Sequence, residues 1–226
     1  MAHRVSARAH RRALPPALVA SLLLASFSVP ALPAHAESAA SQTAKPAAKP
    51  STAVSLANLP GPDGGVSWGR AEGIIDAKPD DVLAIIHDYG QYAGLFPHFE
   101  KSKVLSQRGT DAIVYLEAKI IAGVSSLWGQ VRMSSTQTAP DLRVVEAKMM
   151  KGKGNMAQLL ARWEVRTIDA GKRAQVAFQL LVDPDLPVPD MVVSNEMKNS
   201  AGMAFRALRK RLSQAGTMAS RTSASM

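Results

Sequence analysis

The stretch "DYGQYAGLFPHFEKSKVL", residues 88–105, decides the fold of this chain. It places two tyrosines, two phenylalanines and the step Phe96-Pro97 in front of a strand-like run. The preceding "KPDDVLAIIHDY" has Pro79 at the first helical position, aspartates in the first turn and apolar residues three and four apart. This pattern predicts a short amphipathic helix that ends at Gly90. An aromatic segment therefore connects a helix to a strand, and its purpose depends on the elements around it.

The stretches around this segment indicate a sheet. "VSWGRAEGIIDA", residues 66–77, suits an edge strand before the helix. After residue 110, the stretches "DAIVYLEAKII", "SLWGQVRMSS", "ARWEVRTI" and "RAQVAFQLLV" alternate apolar and polar residues with period two, and "LRVVEAKMM" is a less regular fifth. Period-two alternation is typical of half-buried antiparallel strands. Turn residues separate the stretches, so we expect a meander with no helix between its strands.

The chain closes with a long amphipathic helix. The apolar stripe that defines it is Met197, Ala201, Ala204, Phe205, Leu208 and Leu212. The middle of this helix is small-sided, and its Gly202 would cost roughly 1 kcal/mol relative to alanine in a helix interior. We expect something to lie close against that face, either the sheet or a bound molecule.

The opening stretch resembles the pattern that follows the first helix in the START-like (SRPBCC, helix-grip) superfamily. The residues that carry the resemblance are Asp88, Tyr92, Phe96, Pro97 and Val104. "LPVPDMVVSNEMKNSAGMAFRALRKRL" is similar to the proline-rich start of that superfamily's closing helix. The nearest branch is the coenzyme-Q-binding and polyketide-cyclase-like proteins, and the resemblance covers about residues 65–213. It implies an α+β helix-grip fold, with two short helices after the first strand and a curved antiparallel sheet wrapped around the C-terminal helix.

The resemblance also implies a cavity between the sheet and the closing helix. The aromatic segment would close the mouth of that cavity over an apolar ligand; the alternative is that these aromatics only cap the core. The candidate pocket-lining residues are Tyr92, Leu95, Phe96, Val114, Leu116, Leu127, Val131, Met133, Trp163, Val165, Phe178, Leu180, Met197, Ala201, Ala204 and Phe205.

Residues that could carry out chemistry are scarce. Outside the leader only His87 and His98 remain, without metal-ligand spacing, and there is no cysteine nucleophile. The inward strand faces contain no carboxylate and no histidine, whereas general acid–base catalysis needs a titratable group in the cavity. Glu72, Glu146, His98 and Tyr92 are the residues that could supply one. We therefore predict no catalytic residue, no metal and no cofactor, and favour a binding module over an enzyme.

The two ends of the chain indicate an exported protein with one domain. Four arginines, an apolar run from Ala17 to Leu32 and "AHA" before Glu37 predict a signal peptide at 1–36, with a retained N-terminal anchor as the alternative. We expect a linker rich in Ala, Pro and Ser at 37–63, the START-like domain at 64–214 and a flexible tail at 215–226. The predicted location is the periplasm or the extracellular space. Without cysteine, no disulfide stabilises the domain.

Charge and composition limit the partners. Removal of four arginines and no acids with the leader lowers the formal net charge from +9 to +5. Part of the excess lies in "RALRKRL", residues 206–212, which would favour transient contact with an anionic membrane surface or be a solvated helix face. We expect no nucleic acid as a partner. The predicted ligand is a hydrophobic small molecule or lipid, isoprenoid-like or otherwise. The alternatives are a cyclase- or dehydratase-type enzyme on the same fold and a protein–protein interaction module.

Overall fold

A computed structural model describes residues 53–62, 64–119, 126–184 and 186–223, with side chains as far as residue 215. The predicted signal peptide and most of the predicted linker lie outside the described residues. In chain order the elements are β1 (Ser55–Leu59), β2 (Trp68–Ile75), α1 (Pro79–His87), a 3-10 helix (Tyr89–Gln91), α2 (Tyr92–Leu95), β3 (Phe99–Arg108), β4 (Asp111–Ala118), β5 (Leu127–Ala139), β6 (Leu142–Gly154), β7 (Gln158–Ile168), a second 3-10 helix (Asp169–Gly171), β8 (Arg173–Asp183) and α3 (Asp190–Ser223).

The eight strands form one antiparallel sheet in the order β1-β2-β8-β7-β6-β5-β4-β3. Strands β3 to β8 form the predicted meander, and β8 then pairs with β2. Register shifts interrupt the β3–β4 and β5–β6 ladders. Bulges of this kind bend strands and increase their twist, which helps the sheet to curve around α3. The predicted helix-grip fold is confirmed.

The two short helices lie between β2 and β3, which are far apart in the sheet. Helix α1 begins at Pro79 with Asp80 and Asp81 in its first turn, and it buries Val82, Leu83 and Ile86. The 3-10 helix and α2 follow at once and bury Tyr89 and Tyr92. The aromatic stretch therefore forms short helices between α1 and β3 that bury two of its rings in the core.

Helix α3 packs directly on strand β2 of the sheet. A Cβ atom placed on Gly69 of β2 would lie 2.0 Å from both the carbonyl carbon and the carbonyl oxygen of Met197. A Cβ on Gly73 would lie 3.1 Å from the Phe205 ring. Glycine at these two positions lets the backbones of β2 and α3 approach closely. All six residues of the predicted apolar stripe of α3, the first of which is Met197 and the last Leu212, are buried.

The structure corrects the sequence-based expectations at both ends of the domain. Strand β1 lies inside the predicted linker and pairs with β2, so β2 is an internal strand and the prediction of an edge strand there is wrong. Because "SLANL" does not alternate strongly between apolar and polar residues, no sequence pattern predicted β1. Helix α3 continues to Ser223, beyond the point where we expected the flexible tail to begin.

Candidate functional site

A small apolar cavity lies between the inner face of the sheet, the α2–β3 connection and α3. Its volume is about 60 Å³. The residues that line it come from α2, the α2–β3 connection, all six of the meander strands and α3: Tyr92, Phe96, Pro97, His98, Phe99, Leu116, Met133, Ala147, Leu159, Ala161, Trp163, Phe178, Leu180, Ser200 and Ala204. None of these described residues carries a carboxylate, an ammonium or a guanidinium group.

Aromatic rings form one side of this cavity. Phe178 and Trp163 pair across β7 and β8 and stack with their centroids 4.0 Å apart. Phe96 stacks on Trp163 at 6.0 Å and meets Tyr92 edge-on at 4.9 Å. Because offset-stacked and edge-to-face pairs are favourable geometries, these rings hold the end of α2 against the sheet.

Two buried tyrosines fix the position of this aromatic segment. The Tyr92 hydroxyl donates to the Ile86 carbonyl oxygen at 2.6 Å, and the Tyr89 hydroxyl donates to the Thr110 carbonyl oxygen at 2.7 Å. Burial raises the pKa of Tyr92 far above its usual value and that of Tyr89 to about 12. Both phenols are therefore neutral structural donors at physiological pH, and Tyr92 is a poor candidate for a general acid or base.

An open groove of about 710 Å³ lies on the other side of α2, between α1, α2 and α3. It is larger than the inner cavity, but it is open to solvent and lined by Asp88, Arg206, Lys210 and Arg211 among others. A groove of this kind cannot enclose an apolar molecule. Pro97 lines both spaces. Residues 92–97, which we call the α2 wall, therefore separate the inner cavity from the outer groove.

The family of the chain follows from a match over residues 75–209, well over half of its length, to the family described as polyketide cyclase / dehydrase and lipid transport. The chain belongs to this family. A search of curated proteins found no match.

The solved structures with a similar fold share little sequence identity with this chain. A STAR-related lipid transfer protein from Xanthomonas axonopodis is 20% identical, with a TM-score of 0.62 over 73% of this chain and 96% of that one. Human StAR-related lipid transfer protein 5 is 13% identical, with a TM-score of 0.62 over 74% and 86%. The Zhui aromatase/cyclase from a Streptomyces species is 16% identical, with a TM-score of 0.52 over 64% and 92%. At these identities the comparisons show the fold.

Half of the residues that the sequence predicted to line a pocket line the observed cavity. Those on the cavity are Tyr92, Phe96, Leu116, Met133, Trp163, Phe178, Leu180 and Ala204. Leu95 lies instead on the outer groove. The other seven are buried in the core without lining the cavity: Val114, Leu127, Val131, Val165, Met197, Ala201 and Phe205. Period-two alternation identifies the inward face of a strand, but the position of the cavity along that face depends on tertiary packing. A ligand-binding role for the eight lining residues stays a prediction.

Seven lining residues were missing from the predicted set: Pro97, His98, Phe99, Ala147, Leu159, Ala161 and Ser200. Two of them were within reach of sequence reasoning, because Ala161 belongs to a predicted inward face and Ser200 to the small-sided stretch of α3. His98 reaches the cavity from the loop before β3, where strand periodicity gives no information. Ala147 lies on the least regular of the predicted strands.

The acidic candidates lie on the opposite face of the sheet from the cavity. Glu146 pairs with Arg162 at 3.0 Å, and Glu72 pairs with Arg70 at 2.9 Å. Burial alone would raise the pKa of Glu72, but hydrogen bonds from Arg70 and Gln175 outweigh it and leave the pKa below its usual value. Because both carboxylates lie on the outer face of the sheet, neither can act on a molecule in the cavity.

Two residues that line the cavity each have a buried polar atom with no hydrogen-bond partner among the described residues: His98 Nε2 and Ser200 Oγ. The other ring nitrogen of His98 lies 3.0 Å from the Lys119 carbonyl oxygen. Within the described part of the chain, no three carboxylate, histidine or cysteine residues are grouped as a metal site would require. No helix in that part is both long and apolar enough to span a membrane.

Proposed function

We propose that this protein binds or carries a hydrophobic molecule in the cavity between the sheet and α3. The observation that carries the proposal is the lining of the cavity, in which the described side chains are aromatic or aliphatic except for one histidine, one serine and the hydrogen-bonded hydroxyl of Tyr92. Burial of an apolar ligand against such a surface contributes roughly 25 cal/mol per Å². Lipid transport in the family description, and the lipid transfer proteins with the same fold, support this function.

A ligand must enlarge the cavity in order to enter. A volume of about 60 Å³ corresponds to roughly two water molecules, and a cavity of about 150 Å³ is the size that accommodates benzene. The α2 wall is the part of the lining that can move outward, because the open groove lies directly behind it. In this proposal Phe96 leaves its stack on Trp163 and the ligand takes its place.

An enzyme of the cyclase or dehydratase type is the second candidate, and the observation that favours it is His98. The family description includes polyketide cyclases, and the fold is shared with an aromatase/cyclase. Among the described lining residues, acid–base catalysis would have to use His98, because the acidic candidates lie outside the cavity and Tyr92 is held neutral by burial.

We also propose that the protein acts after export, in the periplasm or outside the cell. The support is the predicted signal peptide, because the four basic residues, the apolar run and the small residues before Glu37 follow in the order that secretion requires. Transient contact with an anionic membrane would involve Arg206, Lys210 and Arg211, which line the outer groove beside the α2 wall.

The test of the binding function is extraction of the protein from its native host, followed by mass spectrometry of the extract. We expect an apolar molecule in a fixed ratio to the protein. A parallel titration with a fluorescent hydrophobic probe should saturate at one site. Protein that carries no apolar molecule and binds no probe would contradict the proposal.

A further inference from the structure

We propose that the ligand is a neutral apolar molecule with a hydroxyl group, and that His98 Nε2 and Ser200 Oγ bind this hydroxyl. This inference rests on the proposed binding function and specifies the chemical class of the ligand. It starts from two buried atoms of cavity-lining residues that have no partner among the described residues. Buried polar atoms in native proteins nearly always have a hydrogen-bond partner, so each exception requires an explanation.

Ser200 is the first of these exceptions. It lies on α3, it is one of the residues that line the cavity, and only 3% of its surface is exposed. Alanine would be the better residue in a buried helix position, because it has the higher helix propensity and no hydroxyl to desolvate. Ser194, six residues earlier on α3, is also buried but has a structural role, since its Oγ accepts a hydrogen bond from the Ser67 backbone N–H at 2.9 Å. Ser200 has no such role among the described residues.

The geometry of His98 determines what its free nitrogen can do. Nδ1 faces the Lys119 carbonyl oxygen at 3.0 Å, and a carbonyl oxygen only accepts hydrogen bonds. Nδ1 must therefore carry the proton and donate to it. In the neutral ring Nε2 is then left as an acceptor, and this atom is buried in a residue that lines the cavity. The Lys119 carbonyl group therefore favours the tautomer in which Nε2 can accept a hydrogen bond from the ligand.

Together, the two residues select the polar group of the ligand. Nε2 needs a donor, and the serine hydroxyl can donate as well as accept. A ketone or ester only accepts and would leave Nε2 unpaired. A carboxylate or a phosphate would require His98 to take up a proton, and an ammonium would be buried without a counterion, because no carboxylate, ammonium or guanidinium group is among the described lining residues. A hydroxyl group is neutral and both donates and accepts, so it satisfies either atom.

The test compares three probes that share one apolar chain: farnesol, its methyl ether and farnesoic acid. The ether keeps the chain but cannot donate, and the acid introduces a charge. We expect the native protein to bind farnesol about tenfold more tightly than the ether, as expected for one buried hydrogen bond, and to bind the acid more weakly still. Ser200→Ala and His98→Phe should each reduce this preference for the alcohol while leaving the affinity for the ether nearly unchanged.

Matched controls separate binding from structure. Ser200→Ala should leave the ligand-free protein at least as stable as the native protein, because it removes an unsatisfied hydroxyl. Ser194→Ala should lower the melting temperature and leave the alcohol preference intact. The ¹⁵N resonance of His98 Nε2 should shift on addition of farnesol but not of the ether.

Equal affinity for farnesol and its ether, or a preference that survives both substitutions, would overturn the hydroxyl assignment; two bound waters would then account for the unpaired atoms. The binding function would still stand in that case, because the ether itself reports on the apolar cavity. If none of the three probes binds, the assigned ligand class is wrong. The hydrophobic-probe titration then decides separately whether the cavity binds anything.

Discussion

Ala201 and Ala204 are three residues apart on α3, yet they face different surroundings. Ala204 lines the cavity and is 8% exposed, whereas Ala201 is fully buried in the core and does not line it. Both belong to the small-sided stretch, which could have left room for a ligand at either position. In the structure Ala204 lies beside the cavity, whereas Ala201 is packed in the core.

Leucine at the two alanine positions should therefore have opposite effects. Ala204→Leu adds three carbon atoms at the cavity, so it should reduce uptake of a hydrophobic probe several-fold with little change in stability. Ala201→Leu has no space to fill and should lower the free energy of unfolding by about 1–3 kcal/mol, as overpacking does. Probe titration and chemical denaturation of both variants provide the measurement. Equal loss of stability in the two variants, with native probe binding, would mean that Ala204 is ordinary core.

Gly69 is the residue on which the approach of β2 to α3 depends. Gly69→Ala would put a methyl group 2.0 Å from the Met197 carbonyl group, so two backbones must move apart. We expect the free energy of unfolding to fall by about 3 kcal/mol, the upper end of the usual cost of overpacking. Gly94→Ala is the control, because a Cβ there meets nothing within 4 Å. Thermal melts that show similar stability for the two variants would contradict this account of the helix–sheet contact.

His87 should make stability depend on pH. Burial, with a contribution from nearby Arg143, holds the pKa of His87 below its usual value, and Nε2 lies 3.1 Å from Ser135 Oγ. The unfolded chain then binds the proton more readily than the folded chain. The stabilising contribution is complete above the unfolded pKa of about 6.5 and is lost as pH falls below it toward the folded pKa.

His87→Gln should therefore flatten the fall in stability below about pH 6.5. Denaturant melts at half-unit steps give the free energy of unfolding for each protein. At pH 7.5 the native and variant proteins should differ only by the lost contacts of the ring. Parallel curves for the two proteins across the acidic range would show that His87 does not titrate as described.

At the scale of the elements, the sequence was informative wherever a pattern repeats. Alternation predicted β4, β5, β7 and β8, and the spacing of apolar residues predicted α1 and α3. It failed for β1, because five residues without strong alternation become a strand only by pairing with β2. The position of the cavity was equally beyond periodicity. Val165 and Trp163 share an inward face of β7, but the ring of Trp163 lines the cavity and Val165 is packed in the core.

The α2 wall should move when a ligand enters. Trp163 contacts Phe96 of this wall, so its fluorescence can report the movement. Trp68→Phe and Trp128→Phe together leave Trp163 as the single tryptophan of the chain. Addition of a hydrophobic probe should change its emission and speed the hydrogen exchange of backbone amides in residues 92–96.

The control for this experiment is Ala204→Leu in the same background, which should weaken both responses. Probe binding with unchanged emission and unchanged amide exchange would mean that the ligand enters elsewhere. The open groove would then have to be considered as a binding surface in its own right.

At the scale of the whole molecule, the helix-grip fold needed more than local patterns. Alternation indicates antiparallel strands, but it does not say that β8 returns to pair with β2 or that the sheet wraps around α3. That information came from the resemblance carried by the stretch between α1 and β3, and the family match later agreed with it. Long-range pairing joins residues more than 100 positions apart, as in the hydrogen bond from Gln175 to Glu72, and such pairs leave no periodic trace in the sequence.

The remaining prediction concerns the mature form of the protein. Arg4, Arg8, Arg11 and Arg12 precede the apolar run, and small residues at Ala34 and Ala36 are typical of a signal-peptide cleavage site. Cleavage after Ala36 would leave Glu37 at the N-terminus and would not touch the domain, whose described residues begin at 53. Intact-mass analysis of protein from the periplasmic or secreted fraction should therefore give a chain that starts at or near Glu37.

Substitution at the predicted cleavage site makes this prediction sharper. Bulky residues are poorly accepted where a signal peptide is cut, so Ala36→Trp should leave the leader attached and keep the protein with the membrane. Ala39→Trp lies just beyond the site and should be processed normally. A native protein that retains Met1, or an Ala36→Trp variant processed as efficiently as Ala39→Trp, would show that the N-terminal segment is not removed at this point and would favour an anchored protein instead.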